Sequence, residues 1–277
     1  MEHYPSKTLL TIVTSTYNCA DYLSSTAESI KNQTYDNFQW IVIDGASSDG
    51  TLDEIIRFQS IIDFWISEKD DGIYSAWNKA VRHIKGDWVL FLGAGDTFIN
   101  NEVLSKFIDY LLDKRPKAKL LYGDVLLYIN DKLAYRNSKI QVGLYEDYRP
   151  VLPAHQGVFQ HRDLFNTNDK AFDDSYKVVA DSKFLLQSSV KSEGGFEYLK
   201  FEVAIMDVGG VSQSPKNSLR VMNEFFILEK DLGYQLPKIG KWKYFLKCHL
   251  KFILAKCFGD NNILQFTCFL RRCFRII

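Results

Sequence analysis

The residues with the chemistry to hold a ligand sit in short polar turns, each placed directly after an apolar run. Asp96 follows Trp88-Val89-Leu90-Phe91-Leu92 and the turn Gly93-Ala94-Gly95. Two glycines let the backbone turn sharply and come close to a ligand. An acid left at the carboxyl end of a buried strand stands where open α/β sheets bind their ligands. Asp44 ends the run 38–43 in the same way, and the turn Thr14-Ser15-Thr16-Tyr17-Asn18 ends the run 9–13. Such an acid can accept from a nucleobase N–H, and the Tyr17 ring can stack on a base. Phosphates need a cation, and Asp96 with Lys79 or Arg82 nearby can supply a metal site and a positive charge.

A parallel sheet would bring these turns together. The runs 9–13, 38–43, 62–67 and 87–92 read as strands. Between them, helical spacing of apolar residues marks 20–32, then Leu52, Ile55, Ile56 and Phe58, then Ile73, Ala76, Trp77, Ala80, Val81 and Ile84. Repeated strand-then-helix units predict an α/β fold, a mostly parallel Rossmann-like sheet flanked by helices. Parallel strands point one way, so their polar turns share one sheet edge and converge on a pocket. Taken singly, each turn reads first as a helix cap, with Asn18 or Asp21 for the first helix and Asp49 for the second. Beyond Asp96, residues 101–114 read as helix and 118–128 with 132–135 as a strand pair turning at Asn130-Asp131. A helix over 176–186 with an acid near its start, a last strand over 201–208 and a helix over 217–232 complete the pattern.

With 277 residues, 46% hydrophobic and 25% charged, the chain suits one large α/β domain with an appendage. Residues 1–7 are polar and no run approaches the ~20 apolar residues of a membrane span, so neither a signal peptide nor a spanning helix is expected. The net charge of zero conceals an asymmetry. Residues 238–277 hold nine of the 34 Lys/Arg and one of the 34 Asp/Glu, which leaves the body at −8 and this tail at +8. In the tail, Trp242, Phe245, Leu246 and Leu250 interleave with Lys241, Lys243, Lys247 and Lys251. That mixture fits a helix lying in a membrane interface, and also a basic helix packed on the acidic body. Cys248, Cys257, Cys268 and Cys273 lie here without CxxC spacing and read as reduced thiols in apolar positions. No nucleic-acid partner is expected.

The first polar turn carries no glycine, and neither GxGxxG nor GxxxxGK[ST] is present. A pyrophosphate therefore does not lie on the first helix start in the way dehydrogenases or P-loop enzymes hold it.

Six segments occur in order: TSTYN at 14–18, VIDGASSDGT at 42–51, SEKDDGIYSAWNKA at 67–80, GDWVLFLGAGD at 86–96, HQGVFQ at 155–160 and YKVVADSKFLL at 176–186. Together they resemble the bacterial glycosyltransferases of family 2, with the nucleotide-sugar fold called GT-A, in the subgroup that makes surface polysaccharides such as colanic acid. The resemblance covers roughly residues 9–212. It implies that Ser15, Tyr17 and Asn18 form the first nucleotide-contacting turn and that Asp44 reads the base. It further implies that Asp71, Asn78 and Lys79 face the ribose and phosphates, and that His155 lies near the sugar-phosphate site. Asp96 matches the last acid of the family's DxD metal motif, which here is Ala94-Gly95-Asp96 and supplies one carboxylate instead of two. Asp181 matches the general base of inverting members, and its place near a helix start favours the charged form.

The expected domain spans 1–237, with a nucleotide-sugar half over about 1–114, an acceptor half over about 115–237, and the helical tail over 238–277. The expected reaction moves a sugar from a nucleoside-diphosphate sugar, UDP-sugar foremost, to a hydroxyl of a glycan or lipid-linked acceptor, with Mg²⁺ or Mn²⁺. The expected place is the cytoplasm, with peripheral contact on the inner face of the cell membrane through the tail. Two rivals stay open. One is a sugar-1-phosphate nucleotidyltransferase, although residues 14–18 lack its Gly- and Arg/Lys-rich signature. The other is a catalytically silent sugar-binding or scaffold protein, supported by the missing second acid. For single residues, Asp181 can also cap its helix or pair with Lys177 or Lys183, and His155 can be an ordinary core or surface histidine.

Overall fold

Hydrophobic alternation along the first strands splits the chain's core into two layers. The computed structural model describes residues 9–130, 132–137, 145–146, 149–166, 170–233 and 238–274. Residues 1–7, Asp131 of the expected turn and the Cys273 side chain lie outside the described residues. Strands β1 (Leu10–Thr16), β2 (Phe38–Asp44), β3 (Phe64–Ser67) and β4 (Trp88–Phe91) alternate with helices α1 (Ala20–Lys31), α2 (Thr51–Arg57) and α3 (Ile73–Val81). They pair in parallel in the order β3-β2-β1-β4. Leu10, Ile12, Trp40, Val42, Trp88 and Leu90 point into one layer, shared with α1 and α2. Val13, Ile41, Ile43, Val89 and Phe91 point into the other, against α3. A strand covered on both faces is apolar throughout, as β4 is.

The second half extends the same sheet with mixed polarity. It holds β5 (Thr97–Phe98), α4 (Val103–Lys114), β6 (Leu120–Ile129), β7 (Lys132–Asn137), the pair β8 (Tyr145–Glu146) and β9 (Arg149–Pro150), β10 (Val158–His161), α5 (Ala180–Lys191), β11 (Phe196–Asp207) and α6 (Ser218–Leu232). β10 lies antiparallel between β4 and β6, and β11 runs parallel to β6. The result, among the described residues, is one nine-stranded sheet, mostly parallel, plus the β8-β9 ribbon. α5 begins at Ala180, later than the periodicity from Tyr176 predicts. The tail forms α7 (Lys238–Phe258) and α8 (Asp260–Phe274). Tyr244 and Cys248 of α7 pack on Met222 of α6, while Leu264 and Cys268 of α8 join the core beside Ala134 of β7.

Candidate functional site

Register sets the first wall of the site. Thr16, Asp44 and Ser67 lie in one row across β1, β2 and β3, at the carboxyl ends of all three strands. The Thr16 hydroxyl donates to Asp44 Oδ1 at 2.8 Å and the Ser67 hydroxyl to Oδ2 at 2.6 Å. Ser47 adds its N–H at 2.9 Å and its hydroxyl at 2.5 Å. Burial alone would raise this carboxyl, but the bonds from Ser47, Ser67 and Thr16 outweigh it and hold Asp44 below the ordinary carboxylate value. With no exposed surface and four donors on its two oxygens, Asp44 clasps the three strand ends from behind the wall. Both carboxylate oxygens are bonded to the protein in this arrangement.

Gly45, next after Asp44, leaves a narrow slot between Asp70 and the Tyr17 ring. A Cβ built there would lie 3.1 Å from Asp70 Oδ2 and 3.2 Å from the Tyr17 ring, so carboxylate and ring close over the glycine from two sides. Tyr17 is 68% exposed, a large ring free to meet a flat ligand. Asp70 is the residue that sequence reasoning missed in favour of its exposed neighbour Asp71. Its signal was the Asp-x-Gly spacing, since Oδ1 accepts from the Gly72 N–H at 2.9 Å and fixes the loop.

Asn18, at φ +48, ties the first turn to the second. Its N–H donates to Ser47 Oγ at 2.8 Å, and its Oδ1 accepts from the Ser48 N–H at 2.9 Å. The start of α1 is capped from the second turn, with the Ala20 N–H on Asp49 Oδ2 at 3.1 Å and the Cys19 N–H on Thr51 Oγ1 at 2.9 Å. Neither Asn18 nor Asp21 makes that cap, because the adjoining turn supplies the acceptors.

Helix α3 links the remaining residues. The Trp77 indole N–H donates to Ser15 Oγ at 3.2 Å, and its ring stacks on His155 at 4.8 Å between centroids. His155 is buried, and burial drives its pKa down to about 3, so the imidazole is neutral. Its Nε2 meets Gln160 Nε2 at 3.1 Å, whereas Nδ1 has no hydrogen-bond partner among the described residues. Asn78 commits its amide to the backbone of Phe172, donating to the carbonyl at 2.7 Å and accepting from the N–H at 2.9 Å. The amide is a clamp between α3 and the loop before α5. Lys79 is ion-paired with Glu68 at 2.9 Å.

Two carboxylates complete the site from separate segments. Asp96 stands after Gly95, whose φ of +97 only glycine takes easily, and its Oδ2 accepts from the Gly93 N–H at 3.2 Å. Thr26 of α1 pins this loop, donating to the Asp96 carbonyl at 2.8 Å and accepting from the Gly95 N–H at 2.9 Å. Burial raises the Asp96 carboxyl to about 7, opposed by hydrogen bonds from the Gln156 side chain and Gly93, and the charge of Asp207 adds to the rise. No basic side chain is among those influences. Asp181, second residue of α5, accepts from the Tyr74 hydroxyl at 3.1 Å and the Ser182 N–H at 2.7 Å, both on Oδ1. Burial lifts its pKa, outweighing those bonds and the cation of Arg149. The helix start was expected to keep Asp181 well ionised, and desolvation reverses that sign.

Glu224 of α6 shapes the approach to Asp181. Its carboxylate accepts from the N–H groups of Lys177, Val178 and Val179 at 2.9, 2.8 and 3.0 Å, holding the loop that leads into α5. Lys183 pairs with Asp173 and Asp231, so it is not a partner that removes Asp181 from chemistry.

A divalent cation fits this donor set as a partial shell. Among the described residues no three His, Cys, Asp or Glu side chains cluster as a complete metal site. Asp96 is nonetheless a recessed acid, and among the described residues none of the main influences on its carboxyl is a basic side chain. Mg²⁺-type sites with one or two carboxylates draw their other ligands from substrate phosphates and water.

The chain matches the family model described as Glycosyl transferase family 2 over residues 11–174. A PGL/p-HBAD biosynthesis glycosyltransferase of Mycobacterium bovis is 28% identical over 214 residues, covering 74% of this chain and 80% of the relative. Among solved structures, S. aureus TarS aligns with a TM-score of 0.59 and 18% identity over 91% of this chain, which spans 44% of that TarS chain. TarS 1-349 in complex with UDP-GlcNAc gives 0.60 at 18% identity, over 88% of this chain and 73% of the other. The mannosyltransferase PcManGT from Pyrobaculum calidifontis, in complex with GDP-Man and Mn²⁺, gives 0.59 at 15% identity over 95% and 80%. At these identities the solved structures speak for the fold, and the sheet with its flanking helices is the one the GT-A resemblance predicts.

Proposed function

Because the chain belongs to glycosyltransferase family 2, we propose that it transfers a sugar, with inversion, from a nucleoside-diphosphate sugar to a hydroxyl of a glycan or lipid-linked acceptor in surface polysaccharide synthesis. The observation that carries this reading is the pairing of a ring-and-carboxylate slot with two recessed acids at one sheet edge. The slot over Gly45 suits a nucleobase, with the Tyr17 ring to stack on it and Asp70 to accept from a base N–H. A UDP-sugar is the favoured donor, and TarS 1-349 was solved with UDP-GlcNAc.

Asp96 is the residue that would hold a divalent cation, with Thr26 and Gly93 fixing its loop. When bound, Mg²⁺ or Mn²⁺ supplies charge neutralisation for the departing diphosphate. Asp181 acts as general base. As the acceptor oxygen attacks the anomeric carbon, the hydroxyl proton passes to the Asp181 carboxylate and the nucleoside diphosphate leaves on the opposite face. Tyr74 and Ser182 both bond Oδ1, which orients the group and leaves Oδ2 to take the proton. A carboxyl raised by burial is a better base than an exposed one, provided it stays ionised at working pH. His155, neutral and stacked on Trp77, serves as a wall and hydrogen-bonding group near the sugar-phosphate. Ser15, Asn18, Asp71 and Lys79 line or brace the donor side.

In this reading residues 1–114 bind the donor, 115–237 shape the acceptor side, and the tail places the enzyme at the inner face of a membrane. The test is Asp181→Asn, which keeps size and capping ability but cannot take a proton. Transfer should fall about 100-fold or more, with donor affinity and melting temperature near parental. A variant that transfers sugar at the parental rate would remove Asp181 from the mechanism.

A further inference from the structure

Helix α7 presents two faces of opposite character. Tyr244, Cys248 and Ala255 turn inward and are buried, with Tyr244 and Cys248 against α6. Trp242, Leu246, Leu250 and Ile253 follow at steps of four, four and three residues, which puts them in one stripe on the side opposite. That stripe is exposed, at 66%, 60%, 58% and 55% in order. Lys243 and Lys247 flank it on one side and Lys256 on the other, all exposed. α8 continues the theme, with Phe266 and Phe269 outward while Leu264 and Cys268 are buried.

A monomer leaves large apolar side chains exposed singly, not in a stripe along a helix. Packing on the acidic body, the other reading of the tail, accounts for the inner face and for the Lys241–Glu229 pair at 3.0 Å. It leaves the outer face unexplained. No helix of the described residues is long and apolar enough to cross a membrane, so a bilayer would meet this face along its surface and not through it. We infer that the outer face of α7 is a docking surface for an anionic lipid bilayer, with Trp242, Leu246, Leu250 and Ile253 set into the acyl boundary and the flanking lysines on the headgroups. Charge selects this occupant over a second copy of the chain. A tail of +8 repels its own twin across such a face, whereas anionic headgroups complement it. The inference rests on the membrane placement in the reading above and adds which surface makes the contact. The inner face stays bonded while the outer one docks, since the Ser218 hydroxyl holds the Cys248 carbonyl at 2.9 Å and Asp260 takes the Ser214 hydroxyl and the Lys216 N–H.

The experiment is co-sedimentation of the full chain with vesicles of phosphatidylcholine containing about one-third phosphatidylglycerol, and with phosphatidylcholine alone. It needs neither donor nor acceptor, so it stands apart from whether the site transfers sugar. The parent should partition to the anionic vesicles, and the triple variant Leu246→Gln, Leu250→Gln, Ile253→Gln should partition at least about tenfold less. The pair Lys243→Ala, Lys247→Ala should weaken binding only when anionic lipid is present. Melting temperatures match the parent's, because every altered side chain is exposed. Equal partition of the triple variant and parent would overturn the inference, as would indifference of the parent to anionic lipid. A parent dimer that the triple variant converts to monomer would also overturn it, by assigning the stripe to a second copy.

Discussion

Lowering the pH from 7 to 5 should destabilise this protein through His155 by a calculable amount. The imidazole lies among Trp77, Phe91 and Phe172, and burial holds its pKa at about 3 in the fold. In the unfolded chain the same group titrates near 6.5. The unfolded state therefore takes the proton first as pH falls. The stability tied to the neutral ring is fully present above pH 6.5 and is lost progressively toward pH 3. At about 1.4 kcal/mol per pH unit, the loss is about 2 kcal/mol between pH 7 and pH 5, and about 4 kcal/mol by pH 3. His155→Phe keeps a flat ring in the aromatic cluster and removes the titration. Urea unfolding of parent and variant at pH 7 and pH 5 isolates the histidine, because every other titrating group is common to both. The parent should lose about 2 kcal/mol more than the variant over that interval. If both lose the same stability to within about 0.5 kcal/mol, the ring is not buried neutral and the packing described around it is wrong.

Three other outcomes follow from named contacts. Gly45→Ala puts a methyl 3.1 Å from Asp70 and 3.2 Å from Tyr17, so nucleotide affinity should fall about tenfold with little change in melting temperature, and an unchanged Kd by calorimetry would empty the slot of meaning. Glu224→Gln replaces one acceptor oxygen by a donor facing backbone N–H groups, which should cost about 1–3 kcal/mol in chemical denaturation; a change under about 0.5 kcal/mol would refute the clamp. Since burial raises Asp181, the acid limb of kcat/KM should lie above the usual carboxylate range, with activity lost as pH falls through it. Tyr74→Phe deletes a hydrogen bond that lowers this pKa and should move the limb to higher pH, and a limb that stays put would exclude Asp181 as its source.

The first half of the sheet was legible because its information is local. Each strand is a short apolar run and each functional turn follows it directly, so register and direction bring Thr16, Asp44 and Ser67 into line without any long-range guess. The antiparallel insertions were not legible in the same way. β10 has four residues and β5 has two, and their places beside β4, β6 and β11 depend on pairings that no local period encodes. The site residues divide along the same line. Asp70 and Asp71 are adjacent acids, and only the backbone of Gly45 decides which one borders the slot. Glu224 acts on N–H groups 45 to 47 positions earlier, so nothing beside it in the chain marks its role. Asp44 and Asn78 were recognised as important, but their polar atoms turn to the protein itself. The tail composition was clear from sequence, whereas the division of α7 into a packed face and an open face needed its contacts with α6.

Titration calorimetry of the parent with UDP-, GDP-, dTDP- and CMP-sugars, each with and without Mn²⁺, bears on the whole reading at once. One nucleotide class should bind saturably and more tightly with Mn²⁺. Asp96→Asn should weaken that metal-dependent binding at least about tenfold, or about 1.4 kcal/mol, while the fold is kept. Heat from none of the four donors, with or without the metal, would mean that the slot over Gly45 and Asp96 do not hold a nucleotide sugar.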